Sequence, residues 1–346
     1  MKNNIVVFSL LILFSGCAWG EDSGEQYKVV YSLEEGVVEE TNTNIKKEIT
    51  IAIVPKLINI PYFNAVQKGA MEAGNDLGVR VIYTGPSLAD ADQQIKIIKE
   101  LIEEKVDVIA VSANNPEKLS PVLLEAKEKG IKVITWDADT LPDSREFFVN
   151  MVDPETLGRH LMDILAWNTN EEGQFAIMTG SLSAANLNEW LHWILVQHEE
   201  YYPNMTLVEI METDQDSQKA YSRAVELIEK YPNLKGIIGN SSESPPAAAS
   251  AVKKFNKHGE IAVVGLSSPN EMNEYLKDGS AQIVTLWSPK KLGYLTVALA
   301  KNAYEGFPPY DRQQIPQVGQ IRMIEDMVIM GEPIDFTEAN VDQYDF

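Results

Sequence analysis

The sequence predicts an α/β fold made of two doubly wound, Rossmann-like lobes joined by a multi-crossing hinge. Short apolar runs rich in β-branched residues alternate with stretches whose apolar residues recur at three and four positions, the signature of parallel strands linked by right-handed helical crossovers. At 346 residues the chain is too long for one compact core. The strand–helix units number roughly ten, enough for two sheets of about five, and polar or aromatic residues gather at the strand ends, where ligands bind in open α/β sheets.

In chain order, Met1-Lys2 and the apolar run Ile5–Phe14 have the layout of a secretion signal, and the run is too short for a membrane span of about 20 residues. It ends Leu13-Phe14-Ser15-Gly16-Cys17, with the only cysteine of the chain at the junction. Small residues before a lone cysteine resemble a bacterial lipobox, although Phe14 stands where Leu is commonest. On that resemblance residues 1–17 are a lipoprotein signal peptide, Cys17 is diacylated, and the acyl chains hold the protein at a membrane. The alternative is an ordinary signal peptide with a coincidental cysteine. A single cysteine permits no disulfide within the monomer. Residues 18–47, acidic and polar without sustained periodicity, are expected to be a flexible tether.

From Glu48 the strand candidates are Thr50–Val54, Arg80–Tyr83, Val106–Val111, Lys132–Trp136 and Glu146–Asn150, then Gln174–Met178, Leu207–Met211, Lys235–Ile238, Ile261–Gly265 and Gln282–Thr285. Helical periodicity runs through Tyr62–Leu77, Ala91–Glu104, Pro116–Lys129 and Pro154–Trp167, and again through Ala185–Tyr202, Ser217–Lys230, Pro246–Lys257 and Lys291–Tyr304. Gly78, Gly130 and Gly259 are placed to stop helices. The division falls just after Asn150, giving an N-terminal lobe of 48–151 plus 283–310 and a C-terminal lobe of 152–282 plus 311–346. The tail from Pro308 loses the βα rhythm but keeps strand-like pieces at Val318–Ile324 and Met327–Met330.

Composition and motifs exclude several functions. With 29 Lys+Arg against 51 Asp+Glu, the net charge of −22 leaves no basic footprint for nucleic acid. The four histidines are scattered, without HExxH or paired-cysteine spacing, so no metal site is expected. No GxSxG elbow, GxGxxG turn or Walker loop is present, so neither a cofactor nor catalysis is expected.

What recurs is recognition chemistry at strand ends. Ile131–Thr140 reads as a buried strand that abruptly offers Trp136, Asp137 and Asp139. An indole beside two acceptor-only carboxylates suits a hydroxyl-rich small molecule; Asp137 capping the next element, with Trp136 at the core edge, is the alternative. After the first strand come Lys56, Tyr62 and Phe63, and Asn150 ends the fifth. Asn114-Asn115 follow the third strand, and Ser183, Asn186, Leu187, Asn188 and Trp190 follow the sixth. Further on stand Asn240-Ser241-Ser242, Ser267-Ser268 and Trp287-Ser288. Each Ser or Asn alone also suits helix capping, but six such ends converging on one cleft suit a neutral polyol. The expected ligand-binding set is Lys56, Tyr62, Phe63, Asp137, Asp139, Asn150, Asn186, Leu187, Asn240, Ser242, Ser267 and Trp287.

These residues carry a family resemblance over about Glu48 to Phe346. IAIVPKL followed by PYF, VITWDADT, NEW at 188–190, VVGLSSPNEM, TLWSPKKLG and the terminal NVDQYDF resemble the type I periplasmic sugar-binding proteins, in particular the Lsr-type autoinducer-2 receptors and their rhamnose-binding relatives. The resemblance implies the type I periplasmic-binding-protein fold, a small sugar-like ligand in the interlobe cleft and an ABC permease as partner. The secretion signal and acidic charge lead to an expected extracytoplasmic location, and the protein is expected to be a monomer. The resemblance places the receptors' ligand lysine on Lys56 and their first ligand aspartate on Asp137. Their Asp-Gln pair before Asn-x-Trp is replaced by Asn186-Leu187, their Pro-Asp-Ala by Asn240-Ser241-Ser242, and their Trp-Asp by Trp287-Ser288. Leu187 cannot make an amide's hydrogen bonds, which shifts the expected ligand from autoinducer-2 toward a deoxy-sugar such as rhamnose. A sensory receptor feeding a kinase or chemoreceptor, and an enzyme on the same fold, are the alternatives to an importer's receptor.

Overall fold

The computed structural model describes residues 47–346; the expected signal segment, Cys17 and all but the last residue of the tether lie outside the described residues. Two parallel-based sheets result, as the alternation of elements requires. The first lobe begins β1 (Thr50–Val54), α1 (Pro61–Leu77), β2 (Arg80–Tyr83), α2 (Ala91–Glu103), β3 (Val108–Val111), α3 (Pro116–Glu128), β4 (Lys132–Trp136) and β5 (Phe148–Asn150). The second holds α4 (Pro154–Asn168), β6 (Gly173–Thr179), α5 (Ala185–Tyr201), β7 (Met205–Glu212), α6 (Ser217–Lys230), β8 (Leu234–Asn240), α7 (Ser244–Lys254), β9 (Ala262–Leu266), α8 (Pro269–Asp278) and β10 (Ile283–Leu286). Then come α9 (Pro289–Tyr304), β11 (Gln314–Ile315), β12 (Gly319–Gln320), β13 (Arg322–Ile324), β14 (Met327–Ile329) and β15 (Ile334–Phe336).

The seven-stranded sheet has the order β13-β14-β5-β4-β3-β1-β2 and the six-stranded sheet the order β15-β10-β9-β8-β6-β7. β3 and β9 are buried throughout, which is why such strands read as continuous apolar runs rather than alternating ones. In the first lobe α2 and α3 enclose Ala52, Val54, Ile109, Val111 and Val133 on one face. Ile51, Ile53, Val108, Ala110 and Ile134 face the other way, into a core that continues into the second lobe. There α1 and α9 touch backbone to backbone. A Cβ on Gly69 would stand 1.8 Å from the Lys290 carbonyl oxygen, and one on Gly293 would stand 2.0 Å from that of Val66, so only glycine admits this approach. Gly78 (φ 63°), Gly130 (φ 83°) and Gly259 (φ 71°) take the left-handed conformation at the expected helix stops.

The expected lobe boundaries need two corrections. Residues 283–286 form β10 of the second sheet, parallel to β9 with Val284 opposite Gly265, so the chain passes to the first lobe only after Leu286. The tail pieces at 322–329 return to the first sheet, because β14 adds parallel to β5 with Val328 opposite Val149. The chain then crosses again, and β15 pairs antiparallel with β10. Three crossings therefore form the hinge, at 150–154, 286–289 and 329–334. α8 was not foreseen from the periodicity; Pro269 at its first position and Ser268 as its cap set its start. Among the described residues no helix is long and apolar enough to cross a membrane.

Candidate functional site

The carboxyl ends of β1 and β4 in one lobe, and of β6 to β10 in the other, meet at a single pocket. It is lined by Lys56, Ile60, Tyr62, Phe63 and Asp137 of the first lobe, by Asn186, Leu187, Trp190, Gln215, Ser241, Ser242, Leu266 and Leu286 of the second, and by Trp287 of the hinge.

Asp137 organises the first-lobe wall. Its φ of 61° ends β4 in the left-handed region, a conformation Asp tolerates better than most residues. Oδ1 accepts from the Tyr62 hydroxyl (3.0 Å) and Oδ2 from the Ser112 hydroxyl (2.7 Å). The Lys56 Nζ stands 3.3 Å from Oδ2. The Tyr62 oxygen in turn accepts from Trp287 Nε1 at 3.0 Å. Edge-to-face contacts between Tyr62 and Trp287 (6.1 Å) and between Tyr62 and Phe63 (5.0 Å) fix the aromatic wall. Burial lowers the pKa of Lys56, and Asp137 offsets part of that effect. Burial, then the Asp137 charge, raises the Tyr62 phenol well above its ordinary value, so it stays a hydrogen-bond donor.

Two hydrogen bonds cross between the lobes. Lys56 Nζ donates to Asn186 Oδ1 (2.9 Å), and the Ser183 hydroxyl donates to the Asn114 carbonyl (3.2 Å). The loop that carries Lys56 is itself held by buried amides: Asn114 Nδ2 donates to the Lys56 carbonyl (2.8 Å), and Gln94 Nε2 donates to the carbonyls of Pro55 (3.0 Å) and Ser112 (2.7 Å). Behind the second-lobe wall lies Glu243, buried, with Oε2 accepting from Ser217 (2.5 Å) and Oε1 without a partner. Burial, then the neighbouring Glu243, pushes Glu271 up to about 7.

Of the expected ligand set, Lys56, Tyr62, Phe63, Asp137, Asn186, Leu187, Ser242 and Trp287 share this pocket. The other members lie elsewhere. Asp139 turns away from the cleft to Arg145 (2.7 Å) and to the Thr140 backbone N–H (2.8 Å), because the left-handed turn at Asp137 reverses the chain. Asn150 accepts from the Met151 backbone N–H (2.9 Å) and serves the first hinge crossing. Asn240 Nδ2 donates to the Leu187 carbonyl (2.9 Å), and the Ser267 hydroxyl donates to the Ser242 carbonyl (3.0 Å), so both support pocket residues from behind. The Trp136 indole is wholly buried and donates to the Ala110 carbonyl (3.1 Å). The expected set omitted Ile60, Trp190, Gln215, Ser241, Leu266 and Leu286. Applying the strand-end rule to the edge strand β7 would have found Gln215.

A wall of aromatic rings, one paired cation and carboxylate, and neutral amides and hydroxyls can bind a small polar molecule with apolar faces. Among the described residues no group of three His, Cys, Asp or Glu side chains could hold a metal ion.

Comparison with known proteins gives the same architecture. The periplasmic binding protein domain family matches residues 51–306. An ABC transporter solute-binding protein of Burkholderia graminis, solved with D-arabinose, is 30% identical and superposes with a TM-score of 0.77 over 87% of this chain and 99% of that one. A Clostridium phytofermentas ABC transporter solute-binding protein with bound L-rhamnose is 26% identical, with a TM-score of 0.81 over 86% of this chain and 98% of that one. LsrB of Clostridium saccharobutylicum in complex with AI-2 is 24% identical, with a TM-score of 0.81 over 86% of this chain and all (100%) of that one.

Proposed function

The chain belongs to the periplasmic binding protein domain family, as a type I sugar-binding member, and from that premise we propose that it captures a small neutral deoxy-sugar in its interlobe pocket and delivers it to an ABC permease. The observation that carries the reading is the pocket itself, in which Lys56 of one lobe bonds both Asp137 of its own lobe and Asn186 of the other, between walls formed by Tyr62, Phe63, Trp190 and Trp287. Rings of this kind take the C–H faces of a sugar, and the ion pair and amides take its hydroxyls. Entry of the ligand parts the Lys56–Asn186 contact, and lobe closure then rebuilds these bonds onto the ligand, as in hinged binding proteins. Leu187 supplies apolar area, worth about 1–2 kcal/mol under a ligand methyl, which favours rhamnose over autoinducer-2.

A thermal-shift screen against rhamnose, fucose, ribose, xylose, D-arabinose and autoinducer-2 tests the assignment. Stabilisation by rhamnose above the others is expected. Stabilisation by autoinducer-2 alone would overturn the preference, and no response to any of them would overturn the sugar reading. The double change Asn186→Asp with Leu187→Gln should move the response toward autoinducer-2. The same reading anchors the protein outside the cytoplasm through a lipid on Cys17. Cys17→Ser should then release it from the membrane fraction, and retention there would refute the anchor.

A further inference from the structure

Two buried nitrogen atoms of this pocket, Trp190 Nε1 and Gln215 Nε2, have no hydrogen-bond partner. Buried N–H groups are rarely left unpaired in a folded protein, so each points to a partner that the chain itself does not supply. The contrast with Trp287 is direct. The two indoles pack against each other at 5.7 Å; Trp287 Nε1 is committed to the Tyr62 hydroxyl, whereas Trp190 Nε1 is free. Trp190 is only 3% exposed, so bulk water does not serve it.

The backbone around Gln215 is arranged to bring its side chain here. Asp214 and Gln215 both hold φ near 54°, a strained conformation for residues with a side chain. The Gln215 backbone N–H is tied to the Gly180 carbonyl at 3.0 Å. A Cβ on Gly180 would stand 2.8 Å from Gln215 Cγ, 3.0 Å from Ser241 Cβ and 3.1 Å from Leu187 Cδ1. The missing side chain at Gly180 is thus the space in which the Gln215 and Leu187 side chains meet. Leu187 and Trp190, three residues apart on α5, share a face of that helix.

We infer that Trp190 and Gln215 are ligand-contacting, specificity-determining residues that donate to the ring oxygen of a pyranose whose methyl group rests on Leu187. The inference rests on the sugar-receptor reading and names the acceptor atom. The indole N–H is a donor only, and a ring ether is an acceptor only. In a 6-deoxyhexose the ring oxygen is bonded to the carbon that bears the methyl group. That adjacency matches Leu187 lying beside Gln215 and one helical turn from Trp190. The second-lobe lining carries no ionised side chain, which fits a neutral ligand end.

The test uses Trp190→Phe, which keeps a six-membered aromatic ring and deletes the pyrrole with its N–H, and Gln215→Leu, which keeps the volume and deletes the amide. Each is titrated calorimetrically with L-rhamnose and with its carba-analogue, in which a methylene replaces the ring oxygen; if the thermal screen selects another sugar, that sugar and its carba-analogue take their place. Each variant should bind the sugar on the order of tenfold more weakly than the unmutated protein, while its loss of affinity for the carba-analogue is clearly smaller. An indole N–H resonance that is lost in Trp190→Phe should also shift when L-rhamnose is added to the unmutated protein. Unchanged affinity for the sugar, or equal losses for sugar and analogue, would overturn the assignment and leave the sugar reading standing. An unmutated protein that binds none of the sugars would overturn both.

Discussion

The Lys56–Asp137 pair is the most instructive place to perturb this molecule. Both side chains are almost fully buried, at 3% and 4% exposure, so salt screens their attraction little. The substitution Asp137→Asn keeps the shape and tolerates the left-handed φ of 61°, so it isolates the charge. It leaves Lys56 a buried cation facing only Asn186, and it asks an amide to sit where two hydroxyls donate. Removing one partner of a buried pair costs roughly 3–5 kcal/mol. Lys56→Met should cost less, about 1–2 kcal/mol, because Asp137 keeps its bonds from Tyr62 and Ser112. The double variant should be less destabilised than the sum of the singles by at least ~1.5 kcal/mol, since it leaves no unpaired charge. Urea unfolding of the four proteins, followed by tryptophan emission, measures this cycle. Additive losses would refute the reasoning and show that Lys56 and Asp137 are each held by their other contacts.

Three further outcomes follow from the same geometry. Gly180→Ala pushes a methyl against Gln215, Ser241 and Leu187, so sugar affinity in calorimetry should fall with a stability loss of about 1–3 kcal/mol, as for overpacking. Glu271, raised to about 7 in the folded state, contributes stability that is fully present below its unfolded pKa of about 4.5 and is lost as pH rises through 7. Thermal midpoints should therefore show Glu271→Gln gaining on the unmutated protein between pH 5 and pH 8, and parallel pH profiles would contradict it. Arg145 bridges Asp139 (2.7 Å) and Asp326 (2.5 Å), so Arg145→Ala should cost about 2–4 kcal/mol in urea unfolding. Arg145→Lys should recover less than half of that loss, because an ammonium cannot hold both carboxylates as a planar fork does.

Most of the fold was legible because parallel strands covered on both faces must be apolar runs, and the helices between them must present apolar stripes. β1, β2 and β4 lie where their residues place them. What escaped was pairing at a distance. Nothing in the spacing of 283–286 says whether that run pairs with β9 or returns to the first sheet; the neighbour across the sheet decides. The same holds for Met327–Ile329, whose partner β5 lies about 180 residues earlier along the chain. The site shows a similar division. Lys56, Tyr62 and Asp137 could be read from strand ends, but Asp139 could not be separated from Asp137 without the backbone turn between them. Asn240 and Ser267 occupy strand ends too, yet their bonds run backward into the loops they support. Residue type and position bring a side chain to the cleft's rim; its last torsions choose which way it faces.

The three hinge crossings also set an order of events during synthesis. The first lobe cannot be completed by the residues that begin it, because α9 covers α1 and β14 joins the sheet beside β5, and both arrive after β6–β10 of the second lobe, with only β15 still to come. A ribosome releases the final strands of both lobes almost together. A truncated or nascent chain ending before residue 289 therefore leaves one face of α1, including the Gly69 notch, without its partner helix. Such a chain has a high proportion of non-local contacts still to make and folds slowly until they become available. Pulsed hydrogen exchange on the refolding full-length chain should find β1 and α1 of the first lobe unprotected until α9 docks, while the contiguous β6–β9 block of the second lobe gains protection earlier.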